Sequence, residues 1–310
     1  MKNTLPTISL IVPVYNSEKS LEQLTEKLME VLPTITSDFE ILMINDGSHD
    51  NSWQVIKTLM QKNPKIIGTN LMRNYGQHNA LLCGIRQARY EFIVTLDDDL
   101  QHDPALIPTL LDKLYEGNEV VYGSPVEEKH SIFRVLASEI TKSMLSTVMN
   151  AKSARHVSAF RVFYTYLRDA FANYQGPSVS LDVLLTWGTS KFWYVEIPHY
   201  KREIGKSNYT FRKLMVHALN LVTGFSTIPL RLATGIGFLF LFFGIIIFLY
   251  VMIRYFIQGG VVPGFTFLTC VIVIFSGVQL FTLGIMGEYM ARMHFRLMDK
   301  PTYTVKPEKK

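Results

Sequence analysis

Two long stretches without a charge constrain this chain more than anything else in it: residues 232–253 (LATGIGFLFLFFGIIIFLYVMI) and 259–287 (GGVVPGFTFLTCVIVIFSGVQLFTLGIMG). A helix needs about 20 apolar residues to cross a hydrocarbon layer of about 30 Å, and both runs reach that length. A buried core helix is the competing reading, and it fits poorly with runs this long that hold no charge. The sequence therefore predicts two transmembrane helices, 231–254 and 261–287, joined by a short turn. In the second, Gly277, Gly284 and Gly287 permit close helix contact and Gln279 needs a polar partner, which packing within the hairpin can supply.

A hairpin of two spans leaves both flanks on one side of the bilayer, and the surrounding charges decide which. Residues 191–231 hold seven basic residues, Lys191, Lys201, Arg202, Lys206, Arg212, Lys213 and Arg231, against Glu196 and Glu203. Six more basic residues follow Met286, whereas the turn offers only Arg254. The positive-inside rule then puts residues 1–230 and the C-terminal tail in the cytoplasm. The apolar run Ile8 to Val14 is too short, and too soon interrupted by Pro13, for a signal peptide, and reads better as a first strand. The two cysteines, Cys83 and Cys270, supply neither a disulfide framework nor a zinc set. The net charge of +5 sits largely beside the apolar runs, which points to anionic headgroups rather than nucleic acid.

Ahead of the spans lies room for one domain of about 200 residues. Ile8 to Val14, Phe39 to Ile44, Ile66 to Leu71 and Phe92 to Leu96 read as strands, and Ser17 to Leu32, Asn51 to Gln61 and Gly76 to Ala88 show the apolar spacing of helices. That alternation predicts an α/β fold with a parallel sheet covered on both faces, and such sheets bind ligands beyond the carboxyl ends of their strands. All four ends are polar: Pro13-Val14-Tyr15-Asn16-Ser17-Glu18, Asn45-Asp46-Gly47-Ser48, Arg73-Asn74-Tyr75-Gly76-Gln77, and the run from Asp97 to Gln101. Tyr15 offers an aromatic face to a base, and Asp46 a carboxylate to its N–H groups. Singly, Asn16 or Ser17 reads equally well as a helix cap and Asp46-Gly47-Ser48 as a plain turn. Their joint occurrence favours a site.

The fourth end is the most specific. In an extended backbone Asp97 and Asp99 face one way and Asp98 the other. Hard oxygen ligands at that spacing suit Mg²⁺ or Mn²⁺, and a cation held by few carboxylates shares its other positions with phosphate. An acidic turn after a strand is the alternative. Further on, Pro104 and Gly117 bracket a helix, and Glu119 to Tyr122 reads as a fifth strand.

The segments VPVYNSE, INDGS, RNYGQHNALLCGI and LDDDLQHDP together resemble the signatures of glycosyltransferase family 2. With Arg202-Glu-Ile-Gly-Lys-Ser-Asn-Tyr209 and the two C-terminal spans, the resemblance narrows to the bacterial polyprenyl-phosphate glycosyltransferases. Among these the undecaprenyl-phosphate aminoarabinose and glucosyl transferases are the most similar type, and dolichol-phosphate mannosyl synthases more distant ones. The resemblance implies a GT-A fold, a Rossmann-like and mostly parallel sheet, binding a nucleoside-diphosphate sugar through Pro13, Tyr15, Glu18 and Asp46, with Asn16, Arg73, Asp97 and Asp98 beside them. It also implies a divalent ion, Mg²⁺ or Mn²⁺, on Asp97, Asp99 and Gln101, and a homotetramer.

Two departures stand out. Relatives commonly carry an Arg after the fifth strand, where this chain reads Gly123-Ser124-Pro125-Val126-Glu127-Glu128-Lys129-His130, so that Lys129, His130 or Arg134 must substitute or the segment is a solvated loop. Where bacterial relatives often have Gly-Asp-Phe-Arg, with the Asp assigned as a base, this chain has Ser158-Ala159-Phe160-Arg161. General-base help contributes about 10²- to 10⁴-fold. A phosphate monoester, with a second pKa near about 6, is already nucleophilic at neutral pH and does not need it.

Residues 201–213 (KREIGKSNYTFRK) precede an amphipathic stretch, 210–230, that can lie in the interface. Arg matches phosphate bidentately and Lys acts as a point charge, so Arg202 and Lys206 are expected to grip a lipid phosphate, with Ser207, Arg134 and Arg161 as further contacts. Arg212 and Lys213 read better as a basic collar. Residues 288–310 are expected to form an interfacial helix and a polar tail.

The expectation is thus an enzyme of a bacterial inner membrane, multi-pass, with N- and C-termini cytoplasmic. It moves one sugar from a nucleotide-diphosphate sugar, UDP in the first instance, to undecaprenyl phosphate with inversion, using Asp97, Asp99 and Arg202. A processive polysaccharide synthase is disfavoured by the absence of a Gln-x-x-Arg-Trp motif and by only two spans. A non-catalytic sugar-nucleotide-binding protein remains the alternative of another class, and a transporter is poorer still because neither apolar run, 232–253 or 259–287, holds an Asp, Glu, Lys, Arg or His.

Overall fold

The computed structural model describes residues 5–125, 156–176, 179–198, 223, 226–258 and 264–307. It divides into two compact units, residues 1–218 with 300–310, and residues 219–299. The first is built on a sheet whose described strands are β1 (Thr7–Val14), β2 (Asp38–Asn45), β3 (Ile66–Asn70), β4 (Phe92–Thr95), β5 (Val120–Pro125), β6 (Arg161–Tyr164) and β7 (Phe192–Ile197). Their order is β3-β2-β1-β4-β6-β5-β7, and all neighbours are parallel except β6, which runs against β4 and β5. The first four strands form the parallel sheet that the alternation predicts, and with antiparallel β6 the whole is the mostly parallel sheet that the resemblance implies.

Helices α1 (Leu21–Ile35), α2 (Ser52–Lys62), α3 (Gln77–Gln87) and α4 (Ile107–Tyr115) connect the first strands. In α1 the buried positions Leu21, Leu24, Leu28 and Leu32 recur at helical spacing and pack on β1 and β2 residues such as Ile8, Leu10 and Ile41. With helices on both sides the central strands have no polar face. Every residue of β1 from Ile8 to Val14 is buried. A further helix, α5 (Leu181–Gly188), precedes β7.

Two features of the sheet place the site. The chain leaves β1 toward β2 and β3 on one side and resumes with β4 on the other, so the carboxyl ends of β1 and β4 flank a topological switch point, where a crevice opens in such sheets. Pro13 lies in a central strand, yet it breaks no ladder. The last β4 bond to β1 is Leu96 N–H to the Ile11 carbonyl, and Pro13 sits beyond it. The opposite end is closed by buried Glu40, which accepts from Ser9 Oγ at 2.7 Å and from Arg89 N and Nε at 2.9 and 2.8 Å.

The sequence reading placed Asp97 and Asp99 on an extended strand. The structure corrects this: β4 stops at Thr95, residues 98–100 turn, and Leu100 takes a left-handed φ of 62°. The three carboxylates therefore do not alternate across a pleat. Within the expected polar tail, residues 304–306 pair with residues 70–72 at the carboxyl end of β3, Leu71 being bridged to Val305 in antiparallel fashion.

In the second unit α6 (Ile228–Gln258) is long and apolar enough to cross a membrane, and it carries outward-facing Phe238 and Phe242, 68% and 67% exposed. The second long helix, α7 (Phe265–Leu297), runs unbroken through the stretch where a separate interfacial helix was expected from residue 288. The Phe275 ring meets Phe240 edge-on at 5.8 Å, and Tyr289 Oη donates to the Ser226 carbonyl at 2.6 Å.

Candidate active site

The four strand ends form a cluster held by side chain to backbone bonds. Asn16, in the left-handed region at φ 55°, donates its N–H to Ser48 Oγ at 3.0 Å and accepts from the His49 N–H at 2.8 Å. The next residues continue the latch: Ser17 N–H to Ser52 Oγ at 2.8 Å, Glu18 N–H to Asp50 Oδ2 at 3.1 Å, and Asn51 N–H back to Glu18 Oε2 at 3.0 Å. Burial pushes the Asp50 carboxyl up, but the Ser52 hydroxyl and the Ser52 and Glu18 amides outweigh it and hold the group below the usual range. Tyr15, 43% exposed, turns its ring edge-on to His49 at 6.4 Å. Pro13 is buried beneath this loop.

Asp46 ends β2 and is 2% exposed. Its two oxygens accept from the Tyr75 N–H at 2.7 Å and the Gly76 N–H at 2.8 Å, so it fixes the loop that leads into α3. Burial raises its pKa despite both bonds. The carboxylate of Asp46, expected at the N–H groups of a base, accepts from the amides of this loop. Gly47 beside it has φ +65°, and a Cβ there would lie 2.4 Å from the Arg73 carbonyl carbon and 2.5 Å from Asn74 N. Only glycine allows the two turns to touch. Arg73 lies over the Tyr75 ring at 4.6 Å.

The acidic turn is tied to its neighbours. Asp97 Oδ1 accepts from Gln77 Nε2 at 2.5 Å, Asp98 Oδ2 from the Tyr15 N–H at 3.3 Å, and Asp99 Oδ1 from the Gln101 N–H at 3.2 Å. Burial pushes Asp98 up to about 6 against hydrogen bonds from the Ser17 hydroxyl and the Tyr15 amide. Among the described residues no group of three or more His, Cys, Asp or Glu is placed to hold a metal. The donors on one short turn are two carboxylates and the amide of Gln101. Such an all-oxygen, incomplete set fits a hard cation that completes its shell with phosphate oxygens and water.

Ala159 stands next to the exit of β4, its carbonyl accepting from Thr95 Oγ1 at 2.6 Å. Arg161, expected at an acceptor phosphate, is 2% exposed in β6 between Thr95 and Tyr122, and its guanidinium is paired with Asp182. Tyr122 Oη donates to the same Asp182 oxygen at 3.1 Å, and burial raises the Tyr122 pKa well above its usual value. Arg161 is thus enclosed because β6 lies inside the sheet, where a charge needs a partner. Arg134, Arg202, Lys206 and Ser207 lie outside the described residues, as do Lys129 and His130.

His49, Asp50 and Ser52 belong to the cluster and were not named in the sequence reading, which had Ser48 and Gln77 only as members of the polar strand ends. Their signal is the small-polar run Asp46-Gly-Ser-His-Asp-Asn-Ser52 at a strand-to-helix turn, which supplies acceptors for neighbouring amides.

Residues 9–174 match the family described as glycosyl transferase family 2. Over 301 residues, 96% of this chain and 93% of that protein, the sequence is 30% identical to undecaprenyl-phosphate 4-deoxy-4-formamido-L-arabinose transferase of Photorhabdus laumondii. It is 29% identical to the transferase of the same name from Proteus mirabilis over 96% of this chain and 92% of that one. Among solved structures, Mycobacterium tuberculosis glucosyl-3-phosphoglycerate synthase in complex with Mn²⁺, UDP-glucose and phosphoglyceric acid superposes with a TM-score of 0.52 at 15% identity. The match spans 71% of this chain and 78% of that one, a likeness of fold.

Proposed function

The chain belongs to glycosyl transferase family 2, and we propose that it transfers one sugar from a uridine-diphosphate sugar to undecaprenyl phosphate at the cytoplasmic face of a bacterial inner membrane. The observation that carries this reading is the latching of the β1, β2, β3 and β4 ends into one cluster at a sheet switch point. Asp46 underlies the α3 loop there, and Asp97 is tied to the start of α3.

In this reading the exposed Tyr15 ring stacks on the base, and the loops from Pro13 to Glu18 and from Asp46 to Ser52, with Arg73 and Asp98, enclose the nucleoside diphosphate. Asp97, Asp99 and Gln101 would hold Mg²⁺ or Mn²⁺. Such a cation, when bound, neutralises charge on the departing diphosphate. Arg202 and Lys206, with Arg134, orient the acceptor phosphate by charge, and Ser207 does so by a hydroxyl hydrogen bond. One phosphate oxygen of the lipid bonds to the anomeric carbon as the bond from that carbon to the β-phosphate oxygen breaks. UDP leaves with the electron pair, and a single displacement inverts the centre. A dianionic phosphate needs no proton removed, so Ala159 in place of a carboxylate is compatible with the step. Arg161, closed off by Asp182, supports the wall beside Thr95 rather than the acceptor. The helices α6 and α7 are read as a two-span hairpin that keeps both termini cytoplasmic, and the assembly as a homotetramer.

The test is to incubate membranes holding the full chain with undecaprenyl phosphate and a panel of nucleotide sugars, UDP-linked formamido-arabinose among them, and to weigh the lipid. A mass gain of one sugar residue is expected. Ala159 favours a second reading, a donor-binding protein without transfer. Tight UDP-sugar binding with no glycolipid formed would establish that reading instead.

A further inference from the structure

Sheet edges expose unpaired backbone groups and are usually covered or blunted. Here the chain's own C-terminal segment pairs at the carboxyl end of β3, from Asn70 to Met72. Met72 N–H donates to the Thr304 carbonyl at 2.9 Å, and Lys306 N–H to the Asn70 carbonyl at 2.7 Å, with Leu71 and Val305 paired between them. Tyr303 packs against α3, where Arg86 lies over its ring at 5.5 Å and its hydroxyl donates to Cys83. Arg86 is itself anchored by the Ala172 and Tyr174 carbonyls at 3.1 and 2.7 Å. The Thr304 side chain hydrogen-bonds the side chain of Tyr75.

The segment thus grips a loop whose other side is the donor cluster. Residues 72–74 are exposed and belong to no ladder apart from the Met72 bond. Tyr75 and Gly76 present their amides to Asp46, the backbone of Arg73 and Asn74 rests on Gly47, and the next residue, Gln77, reaches Asp97. Residues 73–77 therefore meet the donor cluster, and the C-terminal segment holds the same loop at Met72 and at the Tyr75 side chain.

We propose that residues 301–306 are a positioning segment of the donor site: by adding to the β3 edge they hold the 72–76 loop, and through it Asp46 and Asp97, in the arrangement that binds the nucleotide. The segment follows α7 after only Met298 to Lys300, so the path from the last long helix to the donor loop is a few residues of chain. This rests on the donor reading given above and adds a residue set outside it.

The test uses the full-length protein in membranes, with UDP as the binding probe and donor KM and kcat as a second readout. Lys306→Pro removes the N–H that bonds Asn70, and Thr304→Val removes the hydroxyl that meets Tyr75, and neither touches the cluster itself. Both variants should weaken UDP about three- to tenfold, the range that one net hydrogen bond gives. Donor KM should rise by a similar factor, with kcat within about twofold and the unfolding midpoint lowered by no more than about 5 °C. In a Tyr75→Phe background, Thr304→Val should have no further effect. Wild-type UDP affinity in Lys306→Pro, while Asp46→Asn loses binding, overturns this inference and leaves the donor reading standing. If wild-type protein does not bind UDP at all, both fall.

Discussion

Gly47→Ala probes the contact on which the donor cluster is built. The substitution imposes a left-handed φ of +65° on a residue with a side chain, and it drives a methyl group to 2.4 and 2.5 Å from backbone atoms of Arg73 and Asn74. The first effect costs about 1–3 kcal/mol. The second cannot be relieved by a rotamer, because the obstacle is main chain, so the 73–76 loop must move away from Asp46. That breaks two hydrogen bonds to a buried carboxylate, each worth about 1.5–3 kcal/mol. Allowing for partial relaxation, the total is about 4–6 kcal/mol. In a unit of this size each kcal/mol lowers the midpoint by about 2–4 °C, so a fall of about 10 °C or more is expected in thermal unfolding followed by aromatic fluorescence. Donor KM should rise at the same time. Gly117→Ala is the control: φ is +103° there but a Cβ meets nothing within 4 Å, so only the backbone cost applies and donor KM stays put. Equal midpoints for the two variants, with donor KM unchanged in both, would refute the packing argument.

Other expectations follow from single contacts. Asp182→Ala leaves the Arg161 guanidinium buried without its carboxylate and should cost about 3–5 kcal/mol, read as a lower midpoint of the full-length protein, while Asp182→Asn loses less. Asp99→Ala should abolish glycolipid formation and leave membrane insertion, checked by carbonate extraction, intact. Substantial turnover in that variant counts against a cation on this turn. At the far end of the sheet, Lys65 first and then Tyr90 hold the Asp38 carboxyl down to about 2 from an ordinary 3.8. Because the folded pKa is the lower one, its contribution to stability is complete above about pH 4 and is lost as pH falls toward 2, so wild type and Asp38→Asn should converge in that window.

What could be read from the sequence follows from which elements carry a local signal. The first four strands and the helices between them were legible because a parallel sheet covered on both faces needs continuous apolar runs and its helices need apolar spacing, and residues such as Leu21, Leu24, Leu28 and Leu32 supply it. Strand β6 was missed because Arg161-Val-Phe-Tyr164 is four residues long and opens with a charge whose partner, Asp182, is distant in sequence. The bend at Asp98 to Leu100 was missed for a different reason. Leucine rarely accepts a left-handed φ, so nothing local announces it, and the hold of Tyr15 and Gln77 on the neighbouring carboxylates is tertiary. Asp46 was named as a candidate from its place at a strand end, but its bonds to the amides of Tyr75 and Gly76 depend on strand order. The tail did carry a hint: Thr302-Tyr303-Thr304-Val305 is rich in β-branched and aromatic residues.

The central claim is that a nucleoside diphosphate sits on the ends of β1 and β2, against Tyr15 and the Asp46 turn, and it can be tested directly. Irradiating the full-length protein with a 5-azido-UDP-sugar and mapping the modified peptide should place the label within residues 13–18 or 46–52, with protection by excess UDP. Labelling that UDP does not prevent, or that falls outside the four strand ends, would contradict the account.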